Sequence, residues 1–99
     1  MTNSEIAAVF AGIAGILRLR KDNIFKIRAY EKVAREIEGL TVPVERLVAE
    51  NKVSEIPGAG EAITKKLTEL VNTGRLEYYE KLKAEFPEGV RSIHHQGAA

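Results

Sequence analysis

The sequence contains no cysteine, and its only aspartate is Asp22. Without cysteine there is no disulfide framework, no thiolate nucleophile and no cysteine-ligated zinc or iron–sulfur site. Nucleotidyl transfer and most two-metal phosphoryl chemistry need several converging carboxylates. One aspartate among scattered glutamates does not supply them, so polymerase or nuclease chemistry within this chain is not expected, and no metal site is assigned. Long hydrophobic runs are also missing. The longest apolar stretch, Ile6 to Leu17, is too short to cross a bilayer, and it lacks the basic start and small-residue cleavage site of a secretory signal. These absences point to a soluble cytoplasmic protein with no membrane partner.

What is present fits one small globular domain. The chain has 99 residues, of which 44% are hydrophobic and 29% charged. Net charge is only +1, but its distribution is uneven. Arg18 to Arg35 holds seven basic residues against Asp22 and Glu31, whereas Glu36 to Glu61 holds six glutamates against Arg46 and Lys52. Such a chain presents a basic face while staying nearly neutral, which predicts modest, salt-sensitive affinity for a polyanion.

The hydrophobic period is helical throughout and predicts an all-α fold of four to five short helices. Ile6, Val9, Phe10, Ile13, Ile16 and Leu17 form the stripe of a first helix, with Thr2 and Glu5 at capping-box spacing. Gly12 and Gly15 on that helix permit close approach of a neighbour. A second helix is predicted from Ile24 to Glu38, buried through Ile27, Tyr30, Val33, Ala34 and Ile37 and stopped by Gly39. Arg28, Lys32 and Arg35 fall on a separate exposed stripe, readable as a phosphate-binding row or as a solvated face. A short helix follows from Val44 to Glu50, then a single turn at Val53–Ile56. Further helices run up to about Asn72, stopped by Gly74, and from Leu76 to Phe86, stopped by Pro87. The domain is placed at residues 1–87, followed by a flexible tail over 88–99. His94 and His95 in that tail lack a third fixed ligand and are not taken as a metal site.

The segment most informative about function is Ile56-Pro57-Gly58-Ala59-Gly60, which runs straight into an amphipathic helix. Glycines let the backbone turn tightly and approach a ligand, and the following helix start offers unpaired N–H groups and a positive dipole end. Amides from Gly58, Ala59 and Gly60 through Ala62 are the expected phosphate holders, with Lys65 and Lys66 adding charge. With its short apolar turn before and helix after, the segment resembles a helix-hairpin-helix motif over about residues 53–73. The resemblance widens to the amino-terminal domain of family X DNA polymerases, particularly the bacterial type. It is carried by Asn23-Ile24-Phe25-Lys26-Ile27-Arg28-Ala29-Tyr30, by the glycine loop, and by Thr73-Gly74-Arg75-Leu76-Glu77-Tyr78-Tyr79.

That resemblance implies a sequence-independent DNA-binding module for gapped, nicked or 5′-phosphorylated DNA in repair, associated with the nucleoid. It also implies a monovalent cation at the Gly58–Gly60 hairpin and DNA contacts from Lys26, Arg28 and Tyr30. A second implication is 5′-deoxyribose-phosphate or abasic-site lyase activity, with Lys66 as the Schiff-base nucleophile. Lys66 reads either as that nucleophile or as an ordinary solvated helix lysine. The family's supporting set is incomplete: Ala62 and Lys65 stand where a lysine and an acidic residue are expected, and Tyr78 replaces a basic residue. Tyr79 is expected to face inward and Tyr78 outward, where it would stack on a base. A third reading is a helical adaptor docking on a separate polymerase or repair protein.

Overall fold

Thr2 sets the start of the first helix. Its hydroxyl accepts from the Glu5 N–H at 3.1 Å, and the Glu5 carboxylate accepts from the Thr2 N–H at 2.7 Å, the reciprocal box that their spacing predicts. In the computed structural model, which describes residues 1–86, helix α1 runs Asn3–Leu19 and α2 runs Ile24–Glu38. After them come α3 (Val44–Ala49), a 3-10 turn (Val53–Glu55), α4 (Glu61–Thr73) and α5 (Glu77–Glu85). The described residues are all-α, as the periodicity predicts. The expected tail, the Pro87 stop, His94 and His95 lie outside them.

The turn between α1 and α2 closes with Lys21 in the left-handed region at φ 58. Asp22 N–H donates to the Leu17 carbonyl at 2.9 Å and Lys21 N–H to the Arg18 carbonyl at 3.1 Å, a Schellman stop with lysine where glycine is usual. Asn23 then caps α2, its side-chain oxygen accepting from the Phe25 N–H at 2.8 Å. The tight turn makes α1 and α2 antiparallel: Arg18 near the end of α1 pairs with Glu31 on α2 at 2.8 Å, while Ser4 at the start of α1 meets Glu38 at the end of α2. Gly39 ends α2 at φ −86, an ordinary conformation.

The α1–α2 pair carries most of the core. Ile6, Phe10, Ile13, Ile16 and Leu17 of α1 meet Ile27, Val33 and Ile37 of α2, all fully or nearly fully buried. Gly12 lies under α5: a Cβ built there would sit 2.6 Å from the Tyr79 hydroxyl oxygen, so the missing side chain is what admits that ring. Gly15 lines a shallow surface depression along the α1–α2 seam with Ala11, Ala14 and Ala34. The second half is tied on by Asn3, whose side chain donates to the Val42 carbonyl and accepts from the Val44 N–H, both at 2.9 Å. It thereby satisfies the start of α3, where Pro43 offers no side-chain cap. α3 ends at Ala49 rather than Glu50, because Asn51 at φ 56 closes a second Schellman stop. Ile56, Ile63, Leu67 and Leu70 then bury the glycine loop and α4 against this platform.

Candidate nucleic-acid interface

Between the 3-10 turn and α4, the loop is anchored by its apolar members and leaves its glycines outside. Ile56 and Ala59 are buried, while Gly58 and Gly60 are exposed. Gly58 adopts φ +88, where a side chain is strained, and it lies against α2: a Cβ there would be 3.3 Å from Lys32 Cδ and 3.5 Å from Val33 Cγ2. Gly60 is different. Its φ of −73 and ψ of −176 suit any residue, and nothing lies within 4 Å of the Cβ it lacks. The fold gives no reason for glycine there; an approaching ligand would.

Five loop amides were expected to serve a phosphate, and the structure removes two. Ala59 N–H donates to the Ile56 carbonyl at 3.0 Å and Gly60 N–H to the Gly58 carbonyl at 3.1 Å. The first helical bond of α4 runs from Thr64 N–H to the Gly60 carbonyl at 2.8 Å, and Gly60 has no side chain with which to cap. The N–H groups of Gly58, Glu61 and Ala62, together with Ile63, therefore find no acceptor among the described residues. The usable donors are Gly58 and the first turn of α4, not Ala59 and Gly60.

The charged residues separate into paired and unpaired sets. Lys65, expected to add charge, bridges to Glu61 at 3.4 Å one turn back, so its charge is largely offset. Lys66 and Lys26 have no carboxylate partner among the described residues, and both approach one ring. Lys66 Nζ is 4.9 Å and Lys26 Nζ 5.6 Å from the Tyr78 ring centroid, within cation–π range. Tyr78 is thus not the outward residue the helical pattern predicts. It lies half-buried on Tyr30, with centroids 6.2 Å apart, and Tyr30 lies in turn on Phe10 at 6.0 Å. The Tyr78 hydroxyl oxygen is buried with no hydrogen-bond partner.

Tyr30 is only 5% exposed, which puts it out of reach of a duplex; it supports Tyr78 from below. Burial pushes its phenol well above the ordinary range, with the neighbouring Tyr78 phenol adding to the shift electrostatically. Arg28 is exposed, roughly 160° around α2 from Tyr30, and so stands apart from the Tyr78 cluster. Lys32 is the residue that sequence reasoning underrated. Its methylene stem runs beside Gly58, which brings its ammonium to the hairpin. An open groove of about 640 Å³ runs between α4 and α5, lined by Ala62, Lys66 and Tyr78 and by the bridged pairs Glu61–Lys65 and Glu77–Lys81. Lys66 is its one cation without a carboxylate partner among the described residues.

Comparison with known families points to the same motif. The model of the helix-hairpin-helix domain family matches residues 1–76. The chain belongs to that family. Helix-hairpin-helix domains generally bind DNA without sequence preference. No curated protein matches the chain. The matched residues contain the loop, α4 and Lys26, Lys32 and Lys66, whereas Tyr78 lies beyond them on α5. Among the described residues, no helix is long and apolar enough to cross a membrane, and no three His, Asp or Glu side chains gather to hold a metal.

Proposed function

We propose that this helix-hairpin-helix domain grips DNA by a backbone phosphate, without reading sequence, and favours gapped, nicked or 5′-phosphorylated DNA of the kind met in repair. The observation that carries the reading is Gly60, with nothing within 4 Å of the Cβ it lacks and a conformation that does not require glycine, beside the Glu61 and Ala62 amides that find no acceptor among the described residues. A phosphate oxygen there would meet N–H donors and the positive end of the α4 dipole. Lys66, Lys26 and Lys32 would add longer-range attraction. Three cations and a net charge of +1 support micromolar rather than nanomolar affinity, steeply reduced by salt. The preference for gaps rests on the likeness of Asn23–Tyr30 and Thr73–Tyr79 to the amino-terminal domain of family X polymerases.

A monovalent cation at the hairpin belongs to the same proposal. The loop offers only neutral carbonyl oxygens, and those of Ile56, Gly58 and Ala59 each accept one internal hydrogen bond and keep a second lone pair, a donor set suited to a singly charged ion. Such an ion would offset the charge of the phosphate.

The test is anisotropy of a labelled one-nucleotide-gapped duplex bearing a 5′-phosphate, against the intact duplex, at two salt concentrations. Tighter, salt-sensitive binding to the gap is expected, with loss of binding in Gly60→Val. Equal binding by wild type and Gly60→Val would sink the hairpin reading.

A second reading has one observation in its favour: Lys66 is half-buried with its amine held over Tyr78. As an abasic-site lyase, Lys66 Nζ would add to the C1′ aldehyde and lose water to form a protonated Schiff base. Removal of a C2′ proton by a base would then expel the 3′-phosphate with the C3′–O electron pair. Borohydride should trap a covalent protein–DNA adduct that Lys66→Ala abolishes. No adduct at high protein concentration would end this reading.

A further inference from the structure

Phe25 stands on the surface with no role in the fold. It is 76% exposed, whereas Phe10 and Tyr30 are buried and Tyr78, Tyr79 and Phe86 are packed against the core. Among the described residues it is the one largely exposed aromatic, next in sequence to the exposed Ile24. Its sequence position gives it company: Phe25, Arg28, Lys32 and Arg35 recur at i, i+3, i+7 and i+10 and so share one face of α2. None of those three cations has a carboxylate partner among the described residues, and neither has Lys21 or Lys26. Of the neighbouring acids, Asp22 is held by Arg20 at 2.6 Å and Glu31 by Arg18 at 2.8 Å, which leaves Glu36, one turn beyond Lys32, as the one carboxylate on this face of α2. An exposed ring at the head of a row of unpaired cations is suited to a polyanion that also has flat apolar faces.

We infer that Phe25 is a stacking platform for an unpaired nucleobase, a few nucleotides along the strand whose phosphate the hairpin holds. The inference rests on the phosphate-gripping reading of the hairpin and gives it a source of preference for broken DNA. Lys32 ties the two sites together, since its stem lies beside Gly58 and it sits seven residues after Phe25 on the same face. Seven helical residues span about 10 Å, which is roughly three steps of a stacked strand. Inside an intact duplex every base face is covered by its neighbours. At a gap or an end one face is bare, and Phe25 can cover it.

Tryptophan is absent from the chain, so Phe25→Trp introduces a single, selectively excitable tryptophan at the platform. Its emission should be quenched by the 5′-phosphorylated gapped duplex and much less by the intact duplex. Phe25→Ala should bind the gapped duplex roughly 5- to 100-fold more weakly, bind the intact duplex as wild type does, and keep its helical circular dichroism because the ring is exposed. Phe25→Trp should retain wild-type affinity. If Phe25→Ala binds both DNAs like wild type while Gly60→Val loses both, the platform is overturned and the hairpin grip stands. If Gly60→Val also binds like wild type, or wild type binds neither DNA, both readings fall. A Phe25→Ala variant that changes only self-association, read by sedimentation, would assign the ring to a protein contact and overturn the inference.

Discussion

At Gly12, in the half of the molecule built by α1 and α2, the space left by the missing side chain is filled by protein: the Tyr79 ring occupies it. At Gly60, in the half built by the loop and α4, the same omission is filled by nothing within 4 Å. The first glycine serves packing, and replacing it pushes one helix off another. The second serves neither packing nor backbone geometry, so replacing it should leave the fold alone. The same division runs through the core. α1 buries eight of its residues and α4 only three, so stability is concentrated in the first half, while the hairpin grip belongs to the second and α2 lends it Lys26 and Lys32. Between them runs the Phe10–Tyr30–Tyr78 stack, which joins the middle of the core to Lys26 and Lys66.

Removing the bottom of that stack is the harshest test of the division. Phe10→Ala deletes a fully buried ring from α1 and should cost about 3–5 kcal/mol, read as a fall in the urea midpoint. Because Tyr30 and Tyr78 lose their support, DNA affinity should fall even in the fraction that remains folded. If affinity per folded molecule is unchanged, the two halves are more independent than the stack implies.

The two glycines separate stability from binding directly. Gly12→Val drives a branched side chain into Tyr79 and should cost about 1–3 kcal/mol with little change in DNA affinity of the folded protein. Gly60→Asp should do the reverse. Aspartate is a favoured N-cap, so thermal stability should hold or rise, yet its carboxylate would take the amides and repel the phosphate. A Gly60→Asp protein that binds the gapped duplex as wild type does would place the grip elsewhere. Gly58 falls between these cases. At φ +88, Gly58→Ala should lose about 1–2 kcal/mol and, by deforming the loop, some DNA affinity as well.

Much of this organisation is legible in the residues. Ile24–Glu38 was predictable end to end because its apolar positions keep a strict helical period, and Thr2 with Glu5 announces the start of α1. Tyr78 was not legible. α5 is nine residues long and fully buries only Leu82, so its pattern cannot rank two adjacent tyrosines, and the tertiary cover of Tyr30 decides. The internal loop bonds that occupy the Ala59 and Gly60 amides depend on backbone angles that glycine leaves open. Two further features do carry a signal in the residues. Glu61 and Lys65 stand at i and i+4, the spacing of a helix ion pair, and Phe25 lies off the apolar stripe of its own helix, where an aromatic has nothing to bury against.

Acid should erode the first half through its capping box. The Thr2 N–H donating to the Glu5 carboxylate, helped by the Thr2 hydroxyl beside it, holds that carboxyl below its usual value, and the Arg20 guanidinium with the Asn23 N–H does the same for Asp22 at the far end of α1. Both carboxyls are lowered in the folded chain, so each contributes stability that is fully present above its unfolded pKa and disappears as pH falls through its folded one. The urea midpoint should therefore be flat near neutrality and decline on the acid side, beginning as pH enters the ordinary carboxylate range. Because Glu5 is exposed and Asp22 only half-buried, solvent screens both and the decline is the smallest of these effects. Glu5→Gln should flatten it in part, since glutamine keeps the capping geometry without titrating. A Glu5→Gln midpoint that falls with acid as steeply as wild type would show that the box contributes no pH-dependent stability, and would leave the acid response to Asp22 at the turn into α2.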